Sequence, residues 1–312
     1  MKGTQMNNNE LPVEKSEILF LYESTYSVPN GDPFTGEQRY DEETKKILVS
    51  DVRIKRFIRD YFYETGQDIF VRNDRSTVIA SEKGGAESGS AARFNTLEKA
   101  QPKLSAQELL TSLIDVRLFG GISTKKGDAI NLTGPVQFGL LNPSLNSVDL
   151  RMHQNTSVFA SSTDKTRGAI GTTTIVPYAL NQIHGWINPY SARHTNLMPE
   201  DISLMFQALW NSVNNANTRT KSNQASVLLL QVVYTDPTKK LYGLDRAIRL
   251  MPLDGKREEQ IRNREDYALD FAALRSSADS PFVQEVRYYT EDPTTAQALD
   301  GLAKFKPLTL GA

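Results

Sequence analysis

One segment, VSDVRIKRFIRDYFY from Val49 to Tyr63, constrains the fold more than any other. Its apolar residues Ile54, Phe57, Ile58 and Tyr61 recur at i, i+3, i+4 and i+7, the stripe of a helix that buries one side. Ser50 is placed to cap the first turn, and Asp51 suits the positive end of the helix dipole. The same helix carries four cations, Arg53, Lys55, Arg56 and Arg59. Arg56 has Asp60 four residues on. Lys55 and Arg59 repel each other at i, i+4, by roughly 0.2–0.5 kcal/mol, and both are expected to lack a local acidic partner. A core-anchored helix with such a flank is expected to meet an external anion.

The cluster is a local feature, since the 312-residue chain has a formal net charge of −1. Residues 117–228 are the cation-biased part, with nine Lys/Arg against five Asp/Glu and all three histidines. The chain has no cysteine, which excludes disulfides, thiolate zinc sites and cysteine nucleophiles. Its longest apolar run, Val227 to Tyr234, is strand-sized and broken by Gln231, so no membrane segment is expected. The first residues lack the apolar centre of a signal peptide; residues 1–15 read as disordered and the protein as cytoplasmic.

Strands and helices are mixed along the chain with long insertions, which indicates an α+β fold. Glu17 to Tyr26 is a buried strand, followed by the Pro29-Asn30-Gly31-Asp32-Pro33 turn and the cationic helix. Residues 64–105 read as polar and irregular. Gln107 to Leu118 reads as a helix. Asn131 to Leu141 reads as one edge strand entered through Gly134-Pro135. Val148 to Phe159 and Ala169 to Tyr178 form two extended arms around a polar tip. Glu200 to Val213 is a helix, and Ala225 to Tyr234 a strand. Leu244 to Leu253 and Val283 to Tyr289 are further strands, while Tyr267 to Leu274 stays open between strand and helix.

Several chemistries are unsupported. There is no Walker phosphate loop, no dinucleotide fingerprint and no serine elbow. His153, His184 and His194 lack the spacing of a metal site, so no metal or cofactor is expected. Asp32 and Asp41 have the setting of turn residues, with a general base as the lesser alternative. Beyond the helix, cations recur at Lys125-Lys126, at Lys165 and Arg167 on the polar tip, and at Arg219 and Lys221. The loop Asn214 to Gln224 around the last pair holds no acid and many amide and hydroxyl donors, a composition suited to phosphate oxygens. The RNP1 signature of base-stacking sheets is missing, so phosphate contacts from helix and loops are favoured over bases stacked on a sheet.

Four motifs in order resemble the backbone subunit of type I CRISPR Cascade complexes, in their I-B and I-C branches. They are Asn30-Gly31-Asp32-Pro33, the helix from Val49 to Asp60, Leu132-Thr133-Gly134-Pro135-Val136-Gln137-Phe138-Gly139, and Thr174 to Leu180 with His184-Gly185-Trp186-Ile187-Asn188. The resemblance implies a modified RNA-recognition-motif (ferredoxin-like) palm, with helical fingers at about 62–118 and a β-hairpin thumb at about 145–176. It implies CRISPR RNA, target DNA paired to the guide, further copies of the chain and other Cascade subunits as partners. The implied role is a non-catalytic one in antiviral defence; a target-RNA-cutting subunit using Asp32, or a subunit serving a CRISPR-associated transposon, are its alternatives. The residues expected to touch RNA are Asn30, Ser50, Arg53, Lys55, Arg56, Arg59, Gln137, Lys165, Arg167, Arg219 and Lys221.

Overall fold

The chain enters the fold on β1 (Ser16–Ser27), whose residues are buried almost throughout because both faces of its sheet are covered. The computed structural model describes residues 11–72, 90–123, 129–156 and 170–311. After β1 come β2 (Tyr40–Asp41) and β3 (Lys46–Ser50), which lead directly into α1 (Asp51–Glu64). Four helical or extended pieces follow: α2 (Ser90–Ala100), α3 (Ala106–Thr111), α4 (Ile114–Phe119) and β4 (Gly120–Ser123). The short strands β5 (Ile130–Thr133), β6 (Val136–Phe138) and β7 (Leu141–Pro143) precede β8 (Arg151–Thr156) and the long β9 (Ile170–Ile187). Next are α5 (Pro189–Thr195), α6 (Pro199–Asn214) and β10 (Gln224–Tyr234). The last part holds β11 (Arg249–Pro252), β12 (Tyr267–Asp270), α7 (Ala272–Ala278), β13 (Val283–Tyr289), α8 (Pro293–Leu299) and β14 (Phe305–Pro307).

The main sheet runs β14-β13-β10-β1-β9-β6, antiparallel except for the β13/β14 edge. β9 serves three partners: Ile170–Ile175 pairs with β8, Val176–Ile187 pairs with β1, and Gly185–Ile187 also pairs with β6. Alternation along β1 sends Ile18, Phe20 and Tyr22 to one face and Leu19 and Leu21 to the other. The first face is covered by α1 and α6, through Ile54, Phe57, Ile58 and Phe62 against Met205, Phe206, Leu209 and Trp210. The second is sealed by the C-terminal third, including Leu244, Ile248, Ile261, Tyr267, Phe271 and Leu274. Among the described residues both faces at the centre of this sheet are covered, which leaves neither for bases to stack on. A third cluster, Phe70, Phe94, Leu97, Leu109, Leu110, Leu113 and Val116, gives the segment between α1 and β4 its own small core.

The helix at Ser50 forms as its sequence requires, with Ser50 as its N-cap. Its buried stripe ends on Phe62; Tyr61, expected in the stripe, lies half-buried on the flank, where its hydroxyl accepts a hydrogen bond from Asn211 Nδ2 at 3.3 Å. Gln107 to Leu118 is two helices separated at Ser112-Leu113, and Asn131 to Leu141 spans the short strands β5 and β6 and the start of β7, with breaks at Gly134-Pro135 and Gly139. Residues 64–105, read as irregular, contain α2. Residues 11–15, read as disordered, are packed: Val13 is buried and Glu14 pairs with Arg287 at 2.8 Å. Among the described residues no helix is long and apolar enough to cross a membrane.

Candidate nucleic-acid interface

The site is built where β1 ends, α1 begins and the loop after α6 returns. Asn30 is buried, and its Oδ1 accepts the backbone N–H of Ser50 at 2.6 Å while its own N–H donates to Gln38 Oε1 at 2.9 Å. Ser50 Oγ in turn accepts the N–H of Arg53 at 3.3 Å. Asn30 and Ser50, expected to touch RNA, are thus taken up in tying the Pro29 turn to the first turn of α1. Their polar atoms set the direction in which the helix presents its cations.

The two cations expected to lack partners have them. Lys55 Nζ lies 3.1 Å from Asp51 Oδ2 and donates to Gln137 Oε1 at 3.3 Å. Arg59 Nε donates at 2.9 Å to Asp115, which is fully buried and also accepts the N–H groups of Phe70 and Val71. Arg59 therefore pins α1 to α4, Asp115 ties the segment after α1 to the same helix, and Gln137, whose Nε2 donates to the Gly134 carbonyl at 2.9 Å, pins β6 to α1. Asp51, four residues before Lys55, was visible in the sequence as a partner; Asp115, in another element, was not. Arg56 pairs with Asp60 at 2.7 Å, as the spacing requires.

Arg53 and Lys221 remain. The Arg53 guanidinium stacks 3.7 Å above the Phe57 ring, and its Nε is buried without a hydrogen-bond partner. Burial pulls its pKa below the ordinary arginine value. Lys221 Nζ donates to the Val28 carbonyl and is held on the turn that precedes α1. Burial, and then the charge of Arg53, lower its pKa to about 8. The hydroxyl of Tyr22 lies in the same field, buried and without a partner, its pKa raised by burial and countered by Arg53. Among the described residues neither Arg53 nor Lys221 has a carboxylate within ion-pair distance. Two partly desolvated cations that repel each other are costly in an isolated protein. A bound phosphate would satisfy both, restoring the full charge of Lys221 and giving Arg53 an acceptor.

The loop that carries Lys221 is fixed rather than merely solvated. The Val28 N–H donates to the Thr220 carbonyl, and the Thr25 N–H to the Asn223 carbonyl, both at 2.9 Å. Arg219, on the same loop, is exposed and forms no ion pair among the described residues. It lines a cleft of about 330 Å³ against the end of β1 and the β8/β9 pair. Lys165 and Arg167, like Lys125-Lys126, lie outside the described residues. Asp32 is occupied by turn geometry: its Oδ1 accepts the Phe34 N–H at 2.9 Å, and its Oδ2 faces Arg39 at 3.2 Å. Those contacts hold its carboxyl below the usual range, led by the Phe34 N–H. His184 is bound to buried Glu17 at 2.7 Å, where Tyr234 also donates. Among the described residues no group of three or more His, Asp or Glu is placed to hold a metal ion.

The comparisons with known proteins agree with one another. The family model described as CRISPR-associated protein Cas7 matches residues 14–272. A protein of Haloferax volcanii named CRISPR-associated protein Cas7 is 27% identical over 289 residues, spanning 84% of this chain and 82% of its own length. A solved chain from a CRISPR RNA-guided surveillance complex in a pre-nicking state superposes with a TM-score of 0.56 at 12% identity, covering 95% of this chain and 96% of its own. A second, from a CRISPR RNA-guided surveillance complex, gives 0.52 at 13% identity, with 94% of each chain covered. At those identities the superpositions speak for the shared fold.

Proposed function

The chain belongs to the Cas7 family of CRISPR-associated proteins, and on that footing we propose that it is a non-catalytic, CRISPR RNA-binding backbone subunit of a type I Cascade complex. Copies of it line up along the guide in the cytoplasm with other Cascade subunits, grip the sugar-phosphate backbone and leave base edges free to pair with target DNA. The observation that carries this reading is the Arg53–Lys221 pair, two cations with no carboxylate at ion-pair distance among the described residues, set on a helix face and a fixed loop. A protein that must hold any guide sequence needs phosphate contacts and no base readout. A heterologous contact repeated from copy to copy yields an open filament, which suits a linear guide.

The strand order β10-β1-β9-β6, with α1 and α6 on one face, supports a ferredoxin-like, RNA-recognition-like palm whose usual base-stacking face is closed by the C-terminal third. On this reading residues about 62–118 are the fingers and about 145–176 the thumb. The turn contacts of Asp32 support a structural aspartate over a cleaving one. The test is to purify the protein with its complex and sequence the RNA that comes with it. Guides with repeat-derived ends are the expected result. RNA of arbitrary origin, or none at moderate salt, overturns the reading.

A further inference from the structure

Beside the cation pair lies a cleft that phosphate contacts alone do not explain. It is lined by residues that include Tyr26, Ser27, His153, Thr173, Arg219 and Thr220, none of them acidic among the described residues. Tyr26 has φ +45, in the left-handed region that a bulky side chain adopts only at a cost. In the β1/β9 register it falls opposite Pro177, between the pairs Thr25/Tyr178 and Ser27/Val176, and makes no pair of its own. Proline offers no N–H to the ladder there. The ring stands half exposed at the end of the strand, where burial does not account for the strain. Next to it Ser27 is 3% exposed, and its Oγ is buried without a hydrogen-bond partner. A buried hydroxyl left unsatisfied beside an open cleft points to a polar group that comes from outside.

We propose that this cleft is a nucleobase subsite, in which one base of the bound single strand stacks on Tyr26 and shares a hydrogen bond with Ser27 Oγ, while its phosphate reaches Arg219. The volume of about 330 Å³ suits one base with its sugar. An aromatic face accepts any base, so the subsite does not select sequence. It lies off the end of β1 rather than on the sealed sheet face, which is why no RNP1 spacing announces it. The inference rests on the RNA-binding reading above and adds a base contact to it.

The test compares a single-stranded RNA with an abasic strand of the same length, bound to the full-length protein and its variants. Tyr26→Ala should weaken binding of the base-bearing strand by roughly 5- to 150-fold per stacked base and leave the abasic strand unchanged. Tyr26→Phe should bind as the parent does. Tyr26→Gly, which relieves the backbone strain, should unfold no earlier than the parent while losing the same affinity. Equal losses on both strands would make Tyr26 a backbone contact and overturn the subsite. Full affinity of Tyr26→Ala for the base-bearing strand would also overturn it. If the unaltered protein bound neither strand, the RNA-binding reading itself would fall, a result distinct from both.

Discussion

At the scale of single residues, the division between cations that hold the fold and cations left for a ligand is set by the carboxylates they meet, some one helical turn away and one, Asp115, distant along the chain. Lys221 is in the second group, and its lowered pKa has a consequence for stability. Below about pH 8 it is protonated in both folded and unfolded chains, and the burial cost is fully present. Between about 8 and the ordinary lysine value of 10.5, the unfolded chain binds more protons, so this residue's contribution makes stability rise with pH. Urea unfolding of the free protein compared at pH 7.5 and 9.5 should show that rise, and Lys221→Met should remove it while making the protein more stable at pH 7.5. A bound phosphate returns the proton, so RNA affinity should fall as pH passes 8, and less so in Lys221→Arg. Arg59 is in the first group. Arg59→Ala leaves the fully buried Asp115 with two backbone donors and no counter-charge, and should cost about 3 kcal/mol in urea unfolding. Unchanged stability with a loss of RNA affinity would instead return Arg59 to the interface. The i, i+4 rule located Arg56 with Asp60 and had the means to place Lys55 with Asp51. Asp115 lay beyond it, 56 residues from Arg59 along the chain.

At the scale of elements, regular segments with strong periodicity were legible and short ones were not. β1, α1, α6, β10 and β13 stand close to where alternation and the 3.6-residue stripe place them. The strands β5, β6 and β7 that replace the single strand expected over Asn131 to Leu141 are set by tertiary pairing with β4, β9 and β3, which no local pattern encodes. Gly134, part of a motif quoted from the sequence, shows why glycine stands there. A Cβ on it would lie 2.0 Å from the Phe119 carbonyl carbon, and one on Gly120 would lie 2.1 Å from the Leu132 oxygen. The two backbones touch where α4 passes into β4. Gly134→Ala should therefore destabilise the protein by about 1–3 kcal/mol, read by thermal or urea unfolding. A neutral result would mean the β4/β5 pair can part without cost. Asn30→Ala removes the acceptor for the Ser50 N–H and should cost a similar amount, about 1–3 kcal/mol. Its effect on RNA should follow from misdirecting Arg53, so Arg53→Met should mask it in the double variant.

At the scale of the whole molecule, the ordered motifs carried the family more clearly than charge did. A net charge of −1 hides a local site, because acids at both ends of the chain cancel cations in the middle. The mixed α+β architecture was legible from the order of segments. The closing of the second sheet face by residues 244–274 was not, since their short strands and turns give no periodic signal. On the proposed reading, that closure moves the interface from the sheet to its end, where α1, the Lys221 loop and the β8/β9 pair meet. The central claim is that Arg53 and Lys221 hold phosphates while Lys55 and Arg59 hold the fold. Its most direct test is the salt dependence of binding to single-stranded RNA, followed by anisotropy for the parent and for Arg53→Met with Lys221→Met. Loss of two phosphate contacts should reduce the slope of log K against log salt by about 1.4, equally for unrelated sequences. An unchanged slope, or a loss that depends on the RNA sequence, would contradict the account.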